Sequence, residues 1–315
     1  EVSPDTRAEI AKFMEELFKG TFIVTSQRMK WSASRGASVL EINPLGRDEV
    51  LTFLLGRYTS LAAPALSCEA YGRACNAFVQ RVHAGPIDDP SLRAIISNPM
   101  DLSFVAQLLG MGGQPEMFRL QDQQYELMAA EYARLYPGHA FPLQRFCEAM
   151  YALRIEDLPI PDHTEFENEL DVMARFKLIV ARYSSVNHKR EWCFRHEKIR
   201  DYFLAQAFLG SANSRPLEHL DDPRFRGVYA LLAIILPEDD AAELLAVLVE
   251  YAADTKDHVV SDRFVQLIRS RRRSVSGDGR SAPEPLAADA RSAARSSGGM
   301  ESAASAVEAL RVSKA

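Results

Sequence analysis

The chain has 315 residues, 47% of them hydrophobic, enough to bury more than one core, so two or three domains are expected. Its net charge of −6 argues against a general attraction to nucleic acid or to an acidic membrane. There is no apolar run of about 18 residues, no signal-peptide pattern and no N-x-S/T sequon, and Cys68, Cys75, Cys147 and Cys193 lack metal-ligand spacing. A cytoplasmic protein with ordinary buried thiols and no membrane partner is therefore expected.

The first residue is Glu1, and Ser3-Pro4-Asp5 follows as a cap, an N1 proline and an early acid, so the chain reads as a piece of a longer protein. Ile10, Phe13, Met14 and Leu17 give a helix an apolar face that ends near Gly20. Phe22 to Thr25 is a short β-branched run of the kind found in buried parallel strands, and Ser38 to Ile42 looks like another. Arg47 to Tyr58 reads as a helix with Val50, Leu51, Leu54 and Leu55 inward. Helix alternating with buried strand implies α/β, here the last part of such a sheet.

From Ala65 to Pro137 the pattern is helical, over Leu66 to Val82, Asp101 to Leu109 and Glu116 to Tyr136. Pro99, between Asn98 and Met100, precedes the second of these. Gly110-Met111-Gly112-Gly113-Gln114-Pro115 is an inter-helix turn: no strand precedes it, and no lysine followed by Ser or Thr comes after. Nowhere does the chain contain G-x-x-x-x-G-K-[ST], the main phosphate anchor of P-loop enzymes.

Phe141 to Arg154 and His163 to Arg175 are two more helices, followed by strand Phe176 to Tyr183, a polar turn over Ser184 to Lys189 and strand Arg190 to Arg195. Helices followed by a hairpin make a winged-helix layout. The stretch Asp162 to Asp171, where a DNA reader would place its recognition helix, carries five acids and no Lys or Arg, which would repel phosphates. Phe166, Leu170 and Met173 should be buried there, with the acids in solvent.

Trp192 to Gly210 reads WCFRHEKIRDYFLAQAFLG, with strand alternation up to Arg195 and a helical face of Ile199, Tyr202 and Phe203 beyond it. His196 sits at the change of period, where a helix start has unpaired N–H groups suited to an anion. Phe225 to Leu236, Asp240 to Ala253 and Val259 to Ile268 are helices joined by short turns, and Arg269 with Arg271 to Arg273 suits a helix C-terminus. From Ser274 the chain is rich in Ala, Ser and Gly and is expected to be disordered.

The form F-R-H-E-x-x-R-D-Y-F-L-A resembles the end of the winged-helix subdomain in NACHT-type STAND NTPases, the switches that include animal inflammasome receptors and bacterial anti-phage sensors. In that family the corresponding histidine reaches the phosphates of ADP and locks the closed state, and His196 matches it. By the same resemblance Glu1 would be the last acid of Walker B, and Thr25-Ser26-Gln27-Arg28 the sensor 1 segment. Family members with glutamine there usually follow it with proline, so either Gln27 or Arg28 would face the γ-phosphate; arginine has the fork of donors that fits phosphate. Pro99 would lie against the adenine.

The resemblance implies a mainly α chain with a partial α/β portion: the end of a P-loop NTPase core over 1–60, a helical lid over 61–138, a winged helix over 139–212, the start of a repeat-like helical array over 213–272 and a disordered tail over 273–315. It further implies an ATP/ADP switch using Mg²⁺ in the complete protein, with self-oligomerisation on activation and a ligand sensed by missing C-terminal repeats. The piece alone is expected to be inactive as an ATPase. Two other readings stand beside it, a winged-helix transcription regulator on DNA and a nucleotide-independent helical scaffold.

Overall fold

The computed structural model describes Lys12, Phe13, Ser38, Leu40 and residues 42–61, 64–84, 95–162, 164–183, 190–209 and 214–277. Contacts divide the chain into two units, Glu1–Pro44 and Leu45–Ala315, and nearly all the described residues belong to the second. The expected strands over 22–25 and 38–42, the helix over 10–17, and the candidate residues Glu1, Gln27 and Arg28 lie outside the described residues, save for isolated positions.

The second unit is mainly helical with one small antiparallel sheet. Its elements are α1 (Arg47–Gly56), α2 (Cys68–Ala84), α3 (Pro99–Gly110), α4 (Leu120–Leu135), α5 (Leu143–Ile155), β1 (Ile160–Pro161), α6 (Glu167–Arg175), β2 (Ile179–Tyr183), β3 (Arg190–Phe194), α7 (Glu197–Phe208), α8 (Arg215–Glu218), α9 (Arg226–Ile235), α10 (Glu238–Thr255) and α11 (Val259–Gly277). Among the described residues no helix is long and apolar enough to cross a membrane.

Two hydrophobic cores result. The first gathers Val50 and Leu54 of α1, Tyr71, Cys75 and Phe78 of α2, and Leu102, Val105 and Leu109 of α3. Helix α1 thus belongs with α2 and α3, its Leu54 carbonyl accepting a 2.7 Å hydrogen bond from the Tyr71 hydroxyl. The second core is larger and holds Met128 and Tyr132 of α4, Phe146 and Met150 of α5, Leu170 and Met173 of α6, Phe203 and Phe208 of α7 and Tyr229 and Leu232 of α9. Helices α3 and α4 contribute to both, because α3 is apolar nearly all round: Leu102 and Val105 face one core and Phe104 the other.

The sheet order is β1-β3-β2, with Ile179 opposite Phe194, Ala181 opposite Trp192 and Tyr183 opposite Arg190, and with Ile160 of β1 also opposite Trp192. The two-residue β1 has no alternation to read, and the sequence did not announce it. On α6 Phe166, Leu170 and Met173 are buried as expected, but one acid is not in solvent: Glu169 is buried and accepts a 2.6 Å hydrogen bond from the Tyr132 hydroxyl. That partner on α4 is what makes the burial tolerable. The thiols also divide: Cys75 and Cys147 are buried, Cys193 is half-buried and Cys68 is exposed.

Helix α7 departs from the expected one-sided face. From Ile199 to Phe208 all but Arg200 and Gln206 are buried, because α5 packs on one side and α9 on the other. Phe203 meets the Phe146 ring edge-on at 5.2 Å, and Phe208 meets Phe225 at 5.5 Å. The chain enters this helix from β3 through a fixed point, the Arg195 amide donating to the Leu178 carbonyl at 2.9 Å.

Candidate functional site

The starts of α3 and α7 come together. Helix α3 is opened by Asn98, whose side chain accepts from the Met100 amide at 2.9 Å, and by Pro99 at the first helical position, where the missing N–H costs nothing. Asp101 follows in the first turn. Helix α7 is opened by His196, which has extended backbone (φ −148, ψ 145) and whose Nδ1 accepts from the Lys198 amide at 3.2 Å. Across the junction Lys198 Nζ lies 2.5 Å from Asp101 Oδ2. The segments that carry Pro99 and His196 are thus joined by their neighbours.

Sequence reasoning gave His196 the whole helix end. In the structure its ring caps its own helix, a task that Ser, Thr, Asp or Asn more often performs. The hydrogen bond assigns the ring nitrogens: Nδ1 is the acceptor, so the neutral ring carries its proton on Nε2. The side chain is exposed. An exposed N–H donor beside a positive helix end and an ammonium group can receive a phosphate oxygen.

Asp101 is the residue that sequence reasoning missed. An acid in a first helical turn ordinarily complements the helix dipole in solvent, yet this one is 1% exposed, while Lys198 keeps 39% of its side chain in solvent. Burial raises the Asp101 pKa above the usual carboxylate range, and the Lys198 ammonium pulls it back in part. Its Oδ1 has no hydrogen-bond partner. Nothing in the sequence distinguished it from the other first-turn acids.

A second polar group lies between α5, α7 and α9. Asp201 is 7% exposed, and burial pushes its pKa up to about 6 against the opposing charges of Arg200 and Arg154. Arg200 Nη2 stands 3.6 Å from Asp201 Oδ1, too far for a hydrogen bond, and the Nε atoms of Arg154 and Arg200 are buried without partners. Arg224 ties the far end by donating to the Arg154 and Ile155 carbonyls at 3.2 and 3.1 Å, which satisfies the end of α5. Nearby, Arg215 forks onto Glu148 at 2.9 and 2.6 Å and lies 4.0 Å above the Tyr151 ring, whose hydroxyl meets His219 Nε2 at 2.7 Å. Those side chains satisfy one another and bracket α8 to α5.

Among the described residues no group of three or more His, Cys, Asp or Glu could hold a metal ion. Comparison of the chain with protein-family models, with curated proteins and with solved structures finds no match.

Proposed function

We propose that the chain is part of a nucleotide-regulated signalling switch of the NACHT/STAND class. Helices α2 to α4 would form the lid, and α5, α6, the hairpin and α7 the winged helix. The observation that carries this reading is the meeting of the α3 and α7 starts through the Asp101–Lys198 pair, with the exposed His196 capping α7. ADP held there, with Pro99 toward the base and His196 toward the phosphates, would favour the closed arrangement. Exchange for ATP with Mg²⁺ would remove that preference and favour an open, self-associating form, since a ligand shifts a population only by its differential affinity. Glu1 and either Gln27 or Arg28 would act at the γ-phosphate.

A second reading has its own support. His196 already caps α7, which accounts for it in a nucleotide-independent scaffold. For DNA, the acids of α6 give no anchor to phosphate.

The test uses the protein extended to include a phosphate-binding loop, with ADP release and melting temperature measured on wild type and His196→Ala. A hydrogen bond from a ring N–H to a charged phosphate contributes about 1.5–3 kcal/mol, so ADP release should quicken about ten-fold or more. An unchanged release rate with a lower melting temperature would leave only the cap and favour the scaffold.

A further inference from the structure

We propose that the Asp101–Lys198 pair is a latch that holds the start of α3, and with it the first core, against α7. The latch rests on the switch reading for its purpose, but its existence stands on geometry alone. It joins residues 97 apart in sequence, on helices that belong largely to different cores, and its carboxylate is almost wholly buried while its ammonium reaches water.

The α4 side of α7 is incompletely packed. The crevice between α4 and α7 has a volume of about 10 Å³, room for no more than one water, and is lined by Gln121, Gln124 and Tyr125 on one side and Ile199 and Tyr202 on the other. Gln124 Nε2 is buried without a partner, as is Asp101 Oδ1. The Tyr202 hydroxyl spans the seam, donating to Asp122 Oδ1 of α4 at 3.1 Å. The Tyr125 ring of α4 meets Tyr202 at 6.0 Å and Phe203 at 6.5 Å, while the α5 and α9 sides of α7 carry the closer contacts of Phe146 with Phe203 at 5.2 Å and Phe225 with Phe208 at 5.5 Å. Local opening follows the side with fewer buried apolar contacts.

The two partners are unequal, and that gives the latch a signature. Loss of the lysine leaves a buried, uncompensated carboxylate, whereas loss of the carboxylate charge leaves a lysine that is already partly in water. Lys198→Met should therefore open the seam most, Asp101→Asn should open it less, and the double variant, which relieves the buried charge but lacks the pair, should fall between Lys198→Met and wild type. Lys198→Arg should behave as wild type. A merely solvated lysine would show none of this pattern.

The experiment is amide hydrogen exchange on this chain without nucleotide, followed over residues 104–108 of α3, 202–205 of α7 and 228–233 of α9. Expected is a rise of about ten-fold or more for α3 and the adjoining part of α7 in Lys198→Met, with α9 unchanged and the double variant intermediate between Lys198→Met and wild type. Unchanged exchange in Lys198→Met, an equal rise in all three segments, or a double variant as open as the single one would each overturn the latch. Because this arm contains no ligand, its failure is separate from failure of the switch reading, which is decided by ADP release from the His196 variant.

Discussion

Gly227 stands so close to Asp201 that no side chain larger than hydrogen fits between them. A methyl on Gly227 would lie 1.9 Å from Oδ2, 2.8 Å from Cγ and 3.6 Å from Cβ of Asp201. The first two distances are impossible without movement, and the carboxylate has little room, since Asp201 is 7% exposed on a helix enclosed by α5 and α9. Overpacking of this kind costs about 1–3 kcal/mol, more than the gain of about 1 kcal/mol from replacing glycine by alanine in a helix. Gly227→Ala should therefore destabilise the chain. In an Asp201→Ala background only the Cβ contact at 3.6 Å remains, which is ordinary van der Waals distance. The same substitution should then be neutral or stabilising by up to about 1 kcal/mol. The assay is urea unfolding of the four proteins of the cycle, where the coupling should exceed about 1 kcal/mol. Equal effects of Gly227→Ala in both backgrounds would refute the reasoning, because the clash would then not be with the carboxylate.

Asp201 itself has a folded pKa of about 6, above its ordinary value of 3.8, so folding favours its protonated form. That contribution is complete below about pH 4 and lost as pH rises through about 6, so Asp201→Asn should gain up to roughly 3 kcal/mol over wild type at pH 7.5 and little at pH 4, read by denaturant midpoints. Tyr132→Phe removes the donor to buried Glu169 and should cost about 1–3 kcal/mol, with Glu169→Gln suppressing part of the loss in the double variant. Lys256 closes α10 in the left-handed region at φ 61, its amide donating to the Ala252 carbonyl at 2.8 Å; Lys256→Gly should raise stability by about 0.5–1 kcal/mol, and a fall in melting temperature would contradict this.

The helices of the second unit were legible because their apolar residues recur at helical spacing. The hairpin was legible because alternation over Trp192 to Phe194 gives way to helical period at His196. Pro99 pointed to the neighbourhood of the α3 start, but the helix begins at Pro99 itself, two residues before the expected Asp101, with Asn98 as its cap. What the sequence hid was tertiary in origin. Glu169 read as a solvated acid and nothing singled out Asp101 or Asp201, yet all three are buried, each approached by a residue far along the chain: Tyr132, Lys198 and Gly227 respectively. For the same reason α7 read as one-sided, although α9, which covers its other side, was itself predicted. The pairing of two correctly predicted helices is not written in either one's period.

Helix α7 is held differently by its neighbours, and that asymmetry bears on how a ligand could act. Toward α9 it is fixed by a contact with no spare volume at Gly227, and toward α5 by aromatic rings in edge contact. Toward α3 and α4 it has a charged pair and a small crevice with an unsatisfied amide. Motion of α7 relative to α9 would break close packing at Gly227, whereas parting from α3 would break the Asp101–Lys198 pair and draw Phe104 out of the second core. A phosphate received by His196 on the proposed reading would sit at this weaker seam. A contact made only in the closed arrangement and contributing about 1.5–3 kcal/mol shifts the equilibrium roughly ten- to a hundred-fold. On that reading the latch would supply the resting bias and the nucleotide would add to it, so Lys198→Met should weaken ADP retention even though His196 is intact. His196→Ala, in turn, should leave the ligand-free exchange of α3 unchanged.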